Sequence, residues 1–169
     1  MTFQRFLLGA ATVLTALLLQ LTVIARLPLP GAAPDLLVVL VVAFALAEGP
    51  MTGMVTGFVA GLLADALSVH EIGRLALAYA VAGYFAGQLQ DDTERSTLLP
   101  FWAMLLGSSA ALLAFTGEGI LLADKHITLY SVVRAAISSV PYDVVLTPFV
   151  VPVVSGLVRR LDVDPMRRL

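Results

Sequence analysis

The chain has 169 residues, of which 59% are hydrophobic and only 13% are charged, and its formal net charge is -2. A soluble domain carries about 25% charged residues, so this chain has too little charge to cover a surface that faces water. Basic residues form no run outside the C-terminal tail, which gives no indication of nucleic-acid binding, and the absence of cysteine excludes disulfides and thiol chemistry.

The apolar segments predict an all-α membrane protein, with a single domain over 1–169 built as a compact bundle of about six transmembrane helices. The first segment, 6–25, has no charged residue and is long enough to cross a bilayer, which takes roughly 20 residues. The apolar core of a signal peptide is shorter, about 7–15 residues, so we expect this helix to be retained. The other spanning helices are predicted at 34–47, 50–68, 72–89, 98–122 and 141–158.

The last part of the chain is predicted to be divided. As one straight helix, 127–158 would be about 48 Å long, whereas the hydrocarbon core of a bilayer is about 30 Å thick. This stretch also contains Pro141, Pro148 and Pro152. We therefore expect a short interfacial helix at about 127–139 and a separate spanning helix that begins at Pro141.

The distribution of basic residues predicts the orientation, because cytoplasmic loops carry an excess of Lys and Arg. With the N terminus inside, six basic residues lie on the inner side and three on the outer side, with Arg134 near the outer boundary. We therefore expect both termini in the cytoplasm, with the basic tail against anionic lipid. The inner residues are Arg5, Arg95, Arg159, Arg160, Arg167 and Arg168, and the outer ones are Arg26, Arg74 and Lys125.

Glycines recur at a spacing of four in two predicted helices. On a helix this spacing forms one stripe, and small residues in a stripe allow two helix backbones to approach closely in a membrane. We interpret the stripes as helix-packing surfaces, with the preceding helix of the hairpin 34–68 as the preferred partner, although they would also permit a homodimer. The glycines are Gly53, Gly57 and Gly61 in the third helix and Gly83 and Gly87 in the fourth.

Four charged residues within or beside the apolar segments are candidates for a buried polar role or a partner contact: Asp35, Asp65, Arg134 and Asp143. Charges inside a membrane usually pair, so the sequence suggests an Arg134–Asp143 or an Arg134–Asp65 ion pair. The alternative is that Arg134 extends to the outer surface. Turns or helix starts are predicted at Pro34, Glu48, Gly49, Pro50 and Pro141.

The sequence offers no catalytic constellation and no spacing of metal ligands. It has no set of nucleophile, histidine and acid within an apolar segment, and no glycine loop that would bind phosphate. We therefore predict no catalytic residues, no metal site and no cofactor.

The region from Pro34 to Asp65 resembles the core of the rod shape-determining protein MreD family. The resemblance lies in Pro34-Asp35-Leu36-Leu37, in Glu48-Gly49-Pro50 with Gly53, and in Gly57-Phe58 followed by Gly61-Leu62-Leu63-Ala64-Asp65. It continues through Ile72-Gly73, Ala82-Gly83-Tyr84 and Gly87, and more loosely through Pro141-Tyr142-Asp143 to Pro148.

This resemblance implies a non-enzymatic scaffold in the bacterial inner membrane that serves cell-shape control and lateral peptidoglycan synthesis. The expected direct partner is MreC, and the expected partners within the larger complex are RodA, its class B penicillin-binding transpeptidase and, where present, MreB filaments. The resemblance also implies a fold like that of the substrate-binding subunits of energy-coupling-factor transporters. We expect MreC to bind in an outer groove near Asp35, the 26–34 loop and the 127–139 helix.

Two other functions are weighed against the scaffold. The first alternative is a vitamin-binding subunit of an energy-coupling-factor transporter, which would need a pocket with several convergent polar groups; the predicted outer loops contain few such groups. The second is an intramembrane enzyme, which the lack of a nucleophile or metal set disfavours.

Overall fold

The computed structural model describes residues 3–68, 72–92, 96–125 and 127–161. Over these ranges the fold is all-helical, as predicted, without strands. Short 3₁₀ turns, Ile24–Arg26 and Gln90–Asp92, follow the first and fourth helices. The six α-helices are α1 Phe3–Thr22, α2 Leu36–Glu48, α3 Pro50–Leu67, α4 Arg74–Gly87, α5 Leu99–Leu121 and α6 Leu129–Leu161.

The short helix α2 forms the centre of the bundle. It contacts all five other helices, and every residue from Leu37 to Leu46 is buried. This explains its sequence, because a helix that is apolar on all sides can only be stable when it is surrounded. The helix was predicted to begin at Pro34, but α2 begins at Leu36. Pro34 and Asp35 precede it, and Asp35 is its N-cap.

Four helices in the described part of the chain are long and apolar enough to cross a membrane. These candidate spans are Gly9–Arg26, which includes most of α1, then α3, α5, and Leu129–Arg159 within α6. Helix α2 is apolar but has only 13 residues, and α4 has 14. The architecture is therefore a multi-pass helical bundle in which longer helices surround a short central one.

Helix α6 is continuous, so the predicted division at 139–141 is wrong. Pro141, Pro148 and Pro152 all lie inside the helix, and Pro141 does not begin one. A proline removes one backbone hydrogen bond, and membrane helices tolerate this where neighbouring groups support the backbone. Here the loop before α2 runs beside α6 and binds it on both sides of Pro141.

The glycine stripe of α3 packs mainly against α4, not against the preceding helix α2. A Cβ added at Gly57 would collide with the backbone carbonyl of Tyr79, and one at Gly61 would collide with the backbone of Ala76. Gly53 faces the backbone of Gly83, and it is the one stripe residue that also meets α2, at Ala45. Helices α3 and α4 are thus in direct backbone contact at all three glycines of the stripe.

Candidate functional site

The buried polar groups of the bundle gather at one end, which we call the polar end. It comprises the loop 27–35, the junction between α3 and α4, the C-terminal end of α5 and the first half of α6. The helices reverse direction in chain order, so these segments lie at the opposite end from the start of α1. If the N terminus is inside, the polar end faces outward.

Asp35 joins α2 to α4 at this end. Its Oδ1 accepts hydrogen bonds from the backbone N–H groups of Leu37 (3.0 Å) and Val38 (3.3 Å), which caps the N terminus of α2. Its Oδ2 accepts a hydrogen bond of 2.6 Å from the Tyr79 hydroxyl in α4. Both carboxylate oxygens are therefore occupied, and Asp35 has an internal role in helix capping.

Gln20 of α1 completes the attachment of this loop, although it was not among the predicted site residues. Its Nε2 donates to the carbonyl of Pro34, and its Oε1 accepts from the backbone N–H of Leu36, both over 3.0 Å. A side-chain amide can donate through its nitrogen and accept through its oxygen at the same time. Gln20 is the one amide side chain in the apolar segment 6–25, and that is the signal that could have identified this residue.

Asp143 lies in the same centre, and only 2% of its surface is exposed. Its Oδ1 accepts a hydrogen bond of 2.8 Å from the backbone N–H of Asp35. The side chains of Asp143, Asp35, Tyr79 and Ser108 all line one cavity of about 190 Å³ between α2, α4, α5 and α6. The sequence placed Asp35 and Asp143 in separate helices, and the structure brings them together.

Asp65 caps the N terminus of α4, and it is 1% exposed. Its Oδ2 accepts from the backbone N–H groups of Gly73 (2.8 Å) and Ala76 (3.2 Å), and its Oδ1 accepts from that of Leu75 (3.1 Å). Three donors that a helix start leaves without partners are thus satisfied. The negative charge also lies where the helix dipole favours it.

Arg74 forms the buried ion pair of the polar end. Its Nη1 is 2.9 Å from Oδ2 of Asp124, and the two side chains are 4% and 17% exposed. Its guanidinium also lies 4.3 Å from the centre of the Phe115 ring, a cation–π distance. Arg74 was predicted only as one of the basic residues on the outer side, and its pairing with Asp124 was not predicted.

Arg134 forms neither of the ion pairs that the sequence suggested. Its Nη2 donates to the carbonyl of Gly31 over 3.2 Å, while Asp65 and Asp143 accept from backbone groups. One helical turn further on, the Ser138 hydroxyl accepts from the N–H of Ala32 over 2.7 Å. The long loop before α2 therefore takes the place of a carboxylate partner.

An open groove lies where this loop meets the first half of α6, and we call it the loop–α6 groove. Its volume is about 510 Å³. The Tyr142 hydroxyl also joins α6 to the loop, through the carbonyl of Pro30 at 3.3 Å. Ile137 and Tyr130 are 72% and 74% exposed. The lining residues are Pro30, Gly31, Tyr130, Val133, Arg134, Ile137, Ser138, Pro141 and Tyr142.

The remaining turn residues lie at the other end of the bundle. Glu48 is the last residue of α2, Gly49 has a φ of 97° and Pro50 begins α3. A positive φ of this size suits glycine, and a Cβ here would meet the side chain of Gln90. Gly87 packs against Pro50 nearby. This end is a tight turn rather than a site.

The polar groups described above connect helices and loops to one another. Among the described residues, no three His, Cys, Asp or Glu side chains come close enough together to hold a metal ion. The buried carboxylates bind backbone donors or a tyrosine hydroxyl. Of the features at the polar end, the loop–α6 groove presents side chains that a partner could contact.

A family model described as rod shape-determining protein MreD matches residues 1–161, which is nearly the whole chain. The chain therefore belongs to the MreD family, as the motif from Pro34 to Asp65 predicted. No curated protein and no solved structure matches the chain. The likeness to energy-coupling-factor transporter subunits thus stays a prediction.

Proposed function

We propose that this member of a rod shape-determining family is a membrane scaffold of the bacterial elongation complex, and that its direct partner is MreC. The observation that carries the proposal is the family match over residues 1–161 of a multi-pass helical bundle. The buried polar side chains support it, because they connect helices to one another. RodA, its transpeptidase and MreB filaments would be reached through the complex.

We propose the loop–α6 groove as the contact surface for MreC. Its exposed residues Tyr130 and Ile137 provide apolar area, and Arg134 adds a cation held in place by Gly31. Aromatic residues and arginine are enriched at protein interfaces. Asp35 was predicted at this surface. It lines the neighbouring cavity instead, where it accepts a hydrogen bond from Tyr79.

The proposed orientation has both termini in the cytoplasm of the inner membrane, so that the groove faces outward. The chain has no cysteine, which allows a single cysteine to be introduced at Thr128 or at Thr97 and labelled in whole cells. A membrane-impermeant thiol reagent should label the Thr128→Cys variant and leave Thr97→Cys unlabelled until the cells are opened. The reverse pattern would overturn the orientation.

The alternative as a vitamin-binding subunit finds no support. The cavity of about 190 Å³ beside Asp35 and Asp143 is smaller than the roughly 300–1,000 Å³ of small-molecule pockets. The larger loop–α6 groove is open and mainly apolar, without a convergent set of polar groups. The size of the cavity and the apolar lining of the groove therefore favour a scaffold over a vitamin-binding subunit.

Co-expression with the MreC of the same genome tests the proposed function. A tag on this chain alone should recover MreC after gentle extraction, and the two should remain together in size-exclusion chromatography. Recovery of this chain as a stable, folded protein without MreC would contradict the proposal.

A further inference from the structure

Three carboxyl groups at the polar end differ in how their oxygens are used: Asp65 and Asp143 are buried, and Asp35 is partly buried. Both oxygens of Asp65 and both oxygens of Asp35 accept hydrogen bonds from N–H or O–H donors. Asp143 accepts one such bond, at Oδ1. No backbone N–H is directed at its Oδ2, and the carboxyl group lines the cavity of about 190 Å³.

A second polar group lies beside Asp143 in the same cavity. Ser108 of α5 is 4% exposed, and its Oγ forms no hydrogen bond of full geometry among the described residues, although its hydroxyl is close enough to interact with the Asp143 carboxyl group. A buried hydroxyl without a well-formed hydrogen bond is costly. The cavity has room for water, since one molecule occupies about 30 Å³ in the liquid.

The charges around this cavity do not balance if both carboxyl groups are ionised. Gln20 on α1 and Tyr79 on α4 are uncharged, as are Ser108 on α5 and Thr147 on α6. No Lys or Arg is among the described residues that line the cavity, and at the polar end Arg74 pairs with Asp124 while Arg134 binds the carbonyl of Gly31. Two like charges in one buried site strongly disfavour each other.

We infer that Asp143 carries a proton in the folded protein and that its Oδ2–H group donates into the cavity, to Ser108 Oγ or to a water molecule bound there. This assignment leaves Asp35 ionised, which suits its N-cap position. It also provides a donor for Ser108 and removes one of two uncompensated charges. The ligand of this site is thus a single proton, held with water between α2, α5 and α6.

The Asp143→Asn variant tests the inference, because an amide copies a neutral carboxyl group in shape and can still accept from the N–H of Asp35. We expect it to unfold at the same temperature as the natural chain at about pH 4, or higher. As the pH rises above about 4, the natural chain should lose stability relative to the variant. The sign follows because the folded state would bind one more proton than the unfolded state, whose aspartate titrates near pH 3.9.

The Asp65→Asn variant is the matched control. Both oxygens of Asp65 face N–H donors, so an amide nitrogen must oppose one of them. We expect this variant to be less stable at every pH. Equal losses in Asp143→Asn and Asp65→Asn would overturn the assignment, because they would show that both groups are ionised.

Infrared spectroscopy gives a second readout that does not depend on stability. The natural chain should show the carbonyl stretch of a protonated carboxylic acid near neutral pH, and Asp143→Asn should lack it. Absence of the band, together with an unfolding temperature that depends on sodium or potassium at constant ionic strength, would show that a cation neutralises the site instead.

Discussion

Asp65 ends the glycine stripe of α3 and lies among the most completely buried side chains of the bundle. Its spacing from Gly61 was readable in the sequence, and that spacing correctly indicated a side chain that faces protein. Its partners were not readable, because they are three backbone N–H groups of the next helix. Hydrogen bonds to backbone leave no trace in the identity of the partner residue.

Replacing Asp65 with alanine should destabilise the protein strongly. The change leaves three N–H groups at the start of α4 without their acceptor, and a buried polar group without a partner costs about 1–3 kcal/mol. We expect a loss of at least about 3 kcal/mol in the free energy of unfolding, measured in detergent. The exposed Asp91 serves as a control, and Asp91→Ala should stay within about 0.5 kcal/mol of the natural chain.

For Arg134 the prediction of a buried ion pair was wrong. A charge beside an apolar segment led to the expectation of an ionic partner, yet the structure gives it a loop carbonyl. The residue is exposed, so its charge needs no buried counterion. The pairing rule for membrane charges applies instead to Arg74 and Asp124, which are mostly buried.

At the scale of elements, the positions of the helices were predictable and their continuity was not. The apolar segments and the start at Pro50 give five helices close to where the structure has them, although α2 begins at Leu36 and not at Pro34. The error lies in α6, where Pro141 suggested a break. The decisive contacts come from residues 30–32, which lie more than 100 positions earlier in the chain, and local sequence patterns do not reveal such contacts.

The contact between α3 and α4 provides a matched pair of glycine variants. A Cβ at Gly57 would collide with the carbonyl of Tyr79, whereas one at Gly117 in α5 would meet no atom within 4 Å. Gly57→Ala should therefore separate the helices and cost about 1–3 kcal/mol. Gly117→Ala should be neutral or stabilise by up to about 1 kcal/mol. Similar effects of the two changes on the unfolding temperature would contradict the packing described for α3.

At the scale of the whole molecule, the two ends of the bundle have different characters. One end is closed by the tight turn at Gly49 and the adjacent Gln90. The other contains the buried carboxylates, the Arg74–Asp124 pair and the loop–α6 groove. The family was recognisable from the motif between Pro34 and Asp65. The groove was only approximately predictable, because it forms where two segments distant in sequence meet.

The most direct measurement is recovery of MreC by tagged variants of this chain in which one exposed apolar residue is changed to glutamate. Ile137 lines the groove, whereas Leu121, 87% exposed at the end of α5, is not among its lining residues. Neither side chain packs inside the bundle, so the comparison uses variants that elute as folded protein in size-exclusion chromatography. Our account predicts that Ile137→Glu loses most of the bound MreC and that Leu121→Glu retains it. Full recovery of MreC by a folded Ile137→Glu variant would contradict the groove as the MreC contact.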